Sequence, residues 1–341
     1  MRALTAAALA AAVSACASAP QVLPPVSVTA IAETEPVAQA AGVDAADDPA
    51  IWRNPADPAA SLIVGTDKRG GVHVYGLDGK SRSFAQAGEV NNVDLADMGP
   101  VSQGGAGVIV VASDRNDLTR AMLLVYRLDT ASGQLALLGK VPGGAGEGYG
   151  LCLLKQGQRL LAYSVLKQGA IHEYELTLGA APSATPLRIL RVPSQPEGCV
   201  ADQRSGTLYV GEEAGGIWRF AAGATAGDLV LPVDNRTLVA DVEGLALLPE
   251  GSEGGYLVAS SQGDNAYAVF RLPDLAPLGR FAIAAGALGG AEETDGIELI
   301  GGSFGPEYPE GLFVAQDGHN QPLGQNFKLV SWAAIKAALG L

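Results

Sequence analysis

Residues 62–77 read LIVGTDKRGGVHVYGL. An apolar run ends at a polar stop, a glycine pair turns the chain, and an alternating run ends near an aromatic. The period of two in VHVYGL, with its Val and Tyr content, is a strand signal. The stretch therefore reads as two strands joined by a short turn. The same plan returns at 108–128, 159–176, 207–220, 255–272 and 311–332. Tyr75, Tyr126, Tyr174, Phe220 and Phe270 mark it at intervals of 46 to 51 residues. Six units of about 50 residues, rich in short strands, match the four-stranded blades of a propeller. Strand patterning excludes helical solenoid units, and a sandwich would not keep so even a period. The chain reads as all-β, a six-bladed β-propeller forming a single domain.

Polar residues keep the same interval. Asp47, Asp94, Glu147, Glu197, Glu243 and Asp295 form one series; Asp67, Asp114, Lys167, Glu213, Asp264 and Asp317 form a second. Equivalent loops of a propeller converge on its axis, so both series are expected to ring one mouth of the channel. Within DAADDPAIW (44–52), Asp47 and Asp48 stand just before Pro49. Pro49 fixes its own φ and biases Asp48 toward extended backbone, which places the pair at a strand entrance. An isolated pair of this kind would be a solvated turn. A ring of acids on the blade period is different, because clustered like charges need a cation or strong donors beside them.

Carboxylates and carbonyls suit hard divalent cations, Ca²⁺ above all. The three histidines, His73, His172 and His319, are scattered and give no zinc-like set. Lys68, Arg69, Arg115 and Lys167 fall in the same loops as the acids. They either pair with those acids or bind a polyanion, and phosphate is the natural partner of Lys and Arg. Metal-assisted phosphoester hydrolysis accommodates both signs of charge. P-loop and phosphohistidine signatures are absent.

The chain has 341 residues, 36 acidic against 22 basic, and a formal charge of −14. Nucleic acid and anionic membrane surfaces are poor partners for it. Residues 1–15 read as a signal peptide, with Arg2 before the apolar run Ala3–Val13. Val13-Ser14-Ala15-Cys16 is similar to the lipobox of bacterial lipoproteins, which would lipidate Cys16; the alternative is ordinary cleavage near Ala19. Either route exports the protein, to the periplasm or the outer membrane, with membrane contact only through a lipid on Cys16. Residues 16–32, rich in Pro, Ala and Val, read as a tether, and 33–341 as a propeller expected to be monomeric. Cys152 and Cys199 lie 47 residues apart in successive repeats. An oxidising compartment permits a disulfide. Equivalent positions of adjacent repeats are usually too distant to bridge, so two buried free thiols are expected.

Ten motifs in order carry a family resemblance: ETEPV (33–37), DAADDPAIW, NNVD (91–94), EGCVAD (197–202), YVGEE (209–213), DVEGLAL (241–247), SSQGDNAYAVF (260–270), ETDGIE (293–298), GPEYPEGLFVAQDG (305–318) and QNFKLVSW (325–332). From Glu33 to Trp332 the sequence resembles the β-propeller phytases, calcium-dependent phosphatases of myo-inositol hexakisphosphate. The resemblance implies that Asp48, Glu197, Glu213, Glu243 and Asp295 hold several catalytic calcium ions and a bridging water, with Glu33 and Tyr149 in the same site. It implies phosphate contacts for Lys68, Arg69, Arg115 and Lys167. Asp47, Asn91, Asn92, Asp94 and Gln262 match positions of the cleft or of structural calcium sites. One departure is Gly289-Gly290, where the family usually carries an acid for a stabilising calcium. The implied reaction is that of a 3-phytase, removing phosphates one at a time from calcium phytate by attack of a calcium-activated water.

Two other readings stand beside it. A calcium-dependent lactonase on a similar propeller would need one metal and no basic ring. A surface propeller that binds a partner without catalysis is compatible with the blade plan alone. Propellers also close by mixing strands from both chain ends, so the segment after Glu33 is expected to add an outer strand to the blade built from 311–332.

Overall fold

Each repeat folds as one antiparallel sheet. The computed structural model describes residues 21–37, 40–101, 106–179 and 181–341. Blade one runs outward through Ala46–Trp52, Leu62–Asp67, Gly71–Gly76 and Ser81–Gln86. Blades two to six begin with Val90–Asp97, Gly148–Gln156, Pro196–Ala201, Val242–Glu250 and Ile297–Gly301. These six first strands touch one another in cyclic order, and so line the axis. The strand pairs expected from the repeats are the second and third strands of each blade.

The periodic aromatics explain the packing. Tyr75, Tyr126, Tyr174, Phe220 and Phe270 are all buried. Each sits in the apolar cluster between its own blade and the preceding one: Tyr75 with Phe327 and Val314, Tyr126 with Val64 and Val110, Phe220 with Tyr163 and Leu208. Blades splay as they leave the axis, and a large flat side chain fills that wedge at little entropic cost.

Closure uses both chain ends. Ala32–Glu33 pairs antiparallel with Asn326–Ser331 and becomes the outer strand of blade six. The added strand thus ends at Glu33 instead of following it. A second strand, Val26–Val28, runs parallel to Ala276–Ile283 and gives blade five a fifth strand. The tether reading of 16–32 is corrected there: Val28 and Ala30 are buried in the blade five–six core, so this stretch carries packing side chains. The signal peptide and Cys16 lie outside the described residues. No helix among the described residues is long and apolar enough to cross a membrane.

The cysteines also differ from expectation. Cys152 and Cys199 form a disulfide, with their Cα atoms 5.7 Å apart. Both lie on first strands, in blades three and four. Equivalent residues of outer strands diverge, whereas first strands converge on the axis, and that convergence brings the two thiols within bonding reach.

Candidate active site

The first strands of blades one to five share one irregularity. Pairing is interrupted by a β-bulge between Ala46 and Pro49, Val90 and Val93, Gly148 and Leu151, Pro196 and Cys199, and Val242 and Leu245. A bulge re-aims the side chains at the end of a strand. The residues at its start form an inner ring: Asp47, Asn91, Tyr149, Glu197 and Glu243, with Asp295 completing it just before Ile297–Gly301. A second ring follows the end of each second strand: Lys68, Arg115, Lys167, Glu213, Gln262 and Gly318. In five blades its backbone N–H donates to the carbonyl two residues before the inner-ring position; Gly318 donates to Glu292. These six bonds span 2.7 to 3.2 Å and seat the outer ring directly beside the inner one.

The sequence intervals therefore located the rings but missed some members. Asp94 stands three residues beyond Asn91, and its carboxylate accepts the Leu153 N–H at 2.7 Å in the channel wall. Glu147 precedes Tyr149 and accepts from Arg115 at 2.6 Å. Asp67, Asp114 and Asp317 fold their own turns, accepting N–H groups of Arg69, Asn116 and His319 at 2.9 to 3.0 Å. Asp264 binds Arg280. For Asp67, Asp114 and Asp317 the ring position is one residue further on; for Asp264 it is Gln262, two residues earlier.

At the mouth is a cavity of about 500 Å³, lined by Lys68, Tyr149, Glu197, Glu213, Glu243 and Asp295 among others, but not by Asp47, Asn91, Arg115 or Lys167. Inner-ring entrances pack as closely as backbone allows. A Cβ at Gly150 would collide with the carbonyl of Glu197, and one at Gly198 with that of Glu243. The pattern of a site residue followed by glycine recurs at 149–150, 197–198, 243–244 and 295–296. That signal is present in the sequence; Asp44, Gln195 and Asp241, which also line the cavity, are not followed by glycine and carry no such mark.

Charge is divided around the mouth. Blades one to three place Lys68, Arg115 and Lys167 on the outer ring; blades four to six place Glu213, Gln262 and Gly318. Lys68 reaches inward, its ammonium 2.7 Å from Asp295, 3.0 Å from Asp44 and 3.2 Å from Asp47. Burial opposes its charge, yet Asp47, Asp295, Glu197 and Asp44 together hold its pKa well above the ordinary value. Arg115 donates to Asn91 Oδ1 at 2.7 Å. The Tyr149 ring carries the Lys167 ammonium 4.8 Å and the Arg115 guanidinium 5.6 Å from its centroid, a geometry that holds cations over an aromatic face. Arg69 is at the rim, its Nε 3.3 Å from the Asp44 carbonyl.

On the acidic side, burial and neighbouring carboxylates raise Glu197 and Glu243 well above the usual range. Burial pushes Asp295 to about 7 even with Lys68 beside it. Gln262 donates to Asp295 Oδ1 at 2.6 Å. Glu197, Glu213 and Glu243 each offer an oxygen within 4.8 Å of the others. Two unit charges at that separation repel by roughly 3 to 4 kcal/mol at an effective dielectric of 20. Both Asp47 oxygens and Glu243 Oε2 are buried without a hydrogen bond; Lys68 lies near Asp47 but outside hydrogen-bond alignment. Orphaned buried oxygens in an all-oxygen set fit a hard divalent cation.

Two members expected in the catalytic site, Asp48 and Glu33, lie elsewhere. Asp48 is the neighbour of Asp47 on an extended strand, so its side chain goes the other way. It accepts the Val93 N–H at 3.0 Å and lines a small lower cavity with Asn92, Asp94 and Glu298. Glu33 pairs with the buried Lys328 at the outer edge of blade six, not at the mouth. Asp317 and Asn320 also face that ammonium, at 3.2 and 3.1 Å. A Cβ at Gly289 would lie 3.4 Å from it, so the glycine pair sits beside an internal cation.

A six-bladed propeller whose mouth sets a clustered acidic group against a row of Lys and Arg defines a class, the propeller hydrolases of phosphate esters. Within it, the chain belongs to the phytase family. A family model described as Phytase matches residues 1–341. The 3-phytase of Bacillus subtilis (strain 168) is 38% identical over 330 residues, covering 92% of this chain and 85% of that protein.

Proposed function

We propose that the mouth is the active site of a calcium-dependent 3-phytase that hydrolyses calcium-complexed myo-inositol hexakisphosphate. The division of the rings into a basic and an acidic half carries this reading. Asp47, Glu197, Glu213, Glu243 and Asp295 would hold calcium. Bound there, it supplies charge neutralisation and a water of lowered pKa. Arg115 and Lys167 draw phosphate toward the acidic group, and the Tyr149 face and Glu147 fix where their charges sit. As the bond from phosphorus to the inositol oxygen breaks, with a water oxygen taking its place and the inositol leaving as a hydroxyl that keeps a proton from that water, the same cations stabilise charge on the phosphoryl oxygens. A lactonase has no use for this basic row.

The test is phosphate release from phytate with calcium, with chelator, and with calcium restored. Loss and full recovery support the reading, and undiminished release in chelator contradicts it. The sequence further supports export and anchoring through Cys16. Cys16→Ala should move the protein from the membrane fraction or leave it unprocessed; wild-type protein found soluble and beginning near Pro20 would contradict the anchor.

A further inference from the structure

One seam of the propeller is joined covalently, and there the outer ring changes sign. Adjacent blades belong to separate sheets, so packing and individual hydrogen bonds hold them together. Near the axis five seams use such bonds; between blades four and five, Val242 N–H donates to the Glu213 carbonyl at 2.9 Å. Val93 N–H donates to Asp48 Oδ2 at 3.0 Å, and Leu153 N–H to Asp94 Oδ2 at 2.7 Å. Gly244 N–H donates to the Asp295 carbonyl at 2.6 Å, and Gly296 N–H to that of Asp47 at 3.1 Å. At the same depth between blades three and four stands the Cys152–Cys199 disulfide.

Its placement bears on the site. Cys152 lies three residues after Tyr149, and Cys199 two after Glu197. Both sulfurs belong to buried residues that touch the apolar core between these blades. Gly150 packs against the Glu197 carbonyl without room for a Cβ, so any widening of this seam carries Glu197 away from Tyr149. Blade three brings Tyr149 and Lys167 to the mouth; blade four brings Glu197 and Glu213.

We propose that the disulfide is a positioning element for the acidic group. It holds Glu197 and Glu213 in register with Tyr149 and Lys167, and so sets the affinity of the mouth for its cation. This rests on the calcium reading above. Neither cysteine touches the reacting atoms.

The experiment is calorimetric titration of calcium into the exported chain, wild type and Cys152→Ala/Cys199→Ala, well below both melting temperatures. Supports behind metal ligands typically change affinity by 10- to 100-fold. The dissociation constant of the double variant should rise by about tenfold or more. Ile335→Ala, which empties a buried position in the C-terminal helix Trp332–Leu339, should melt lower with unchanged calcium affinity. An unchanged constant in the double variant, beside a lowered melting temperature, would reduce the bond to a staple and overturn the proposal. If the double variant does not fold, wild-type protein reduced under native conditions is titrated instead. Unfolding there too would overturn the proposal, since the bond would then serve the whole stack. Alkylation of both thiols in unreduced, denatured protein would also overturn it. Absence of calcium binding in the wild type is a different result, and would refute the calcium reading itself.

Discussion

The two halves of the mouth use the same backbone for opposite purposes. In blades one to three the outer-ring position is Lys68, Arg115 or Lys167; in blades four to six it is Glu213, Gln262 or Gly318. The hydrogen bond that seats it is the same in kind throughout. What differs is the side chain and what lies beneath. Under Arg115 and Lys167 is a tyrosine face and one glutamate, whereas on the other side Glu197, Glu213 and Glu243 crowd together. Fold symmetry thus supplies six equivalent positions, and sequence alone divides them into a basic side and an acidic side. Lys68 joins the halves: its position is on the basic arc, yet its ammonium lies among acids.

The largest effect expected from breaking this division comes from the acidic half. Glu197→Gln should lower kcat roughly 10²- to 10³-fold, as removal of other preorganised charges does, with little recovery on added calcium. Normal turnover in that variant would shift the chemistry to other carboxylates. The basic half should respond differently. Lys167→Met removes a charge-assisted contact, for a loss in kcat/KM of about ten- to a hundredfold, greatest on highly phosphorylated inositols. Unaltered phytate hydrolysis would remove Lys167 from the substrate site.

The period of the aromatics was enough to read the propeller, because the wedge between blades demands a large apolar side chain once per unit. The site was less legible. Interval counting chose the acid nearest each expected position, and so took Asp94 for Asn91 and Glu147 for Tyr149. An acid is not required at every position of a ring that also carries basic and aromatic residues. The β-bulge that turns Asp47 toward the mouth and Asp48 away from it leaves no mark on composition. The disulfide is illegible for a similar reason: spacing in sequence says nothing about whether a strand lies at the axis or at the rim.

Smaller effects concern the scaffold on which both halves depend. Deleting residues before Gly42 removes Val26–Val28, Ala32–Glu33 and the Glu33–Lys328 pair. A buried lysine stripped of a partner is costly, so the melting temperature should fall by roughly 5 to 15 °C and activity with it. A truncate that is equally stable and active would show that closure does not need the N-terminal strands. The smallest effect is on pH dependence without metal. Burial raises the Asp94 carboxyl to about 6 and Glu298 to about 8, from ordinary values of 3.8 and 4.5. The folded state then holds these protons more tightly than the unfolded state. Their cost to stability is absent below the ordinary values and grows as pH rises toward 8. In chelator, melting should drop by a few degrees between pH 5 and 8; a rise over that range would contradict these assignments.

The division itself is tested most directly by calcium calorimetry on one variant from each half, Glu243→Gln and Lys167→Met, against the wild type. The acidic-half variant should bind calcium far more weakly, while the basic-half variant binds it as the wild type does. Equal losses in both variants, or none in Glu243→Gln, would contradict the assignment of cation and phosphate to opposite sides of the mouth.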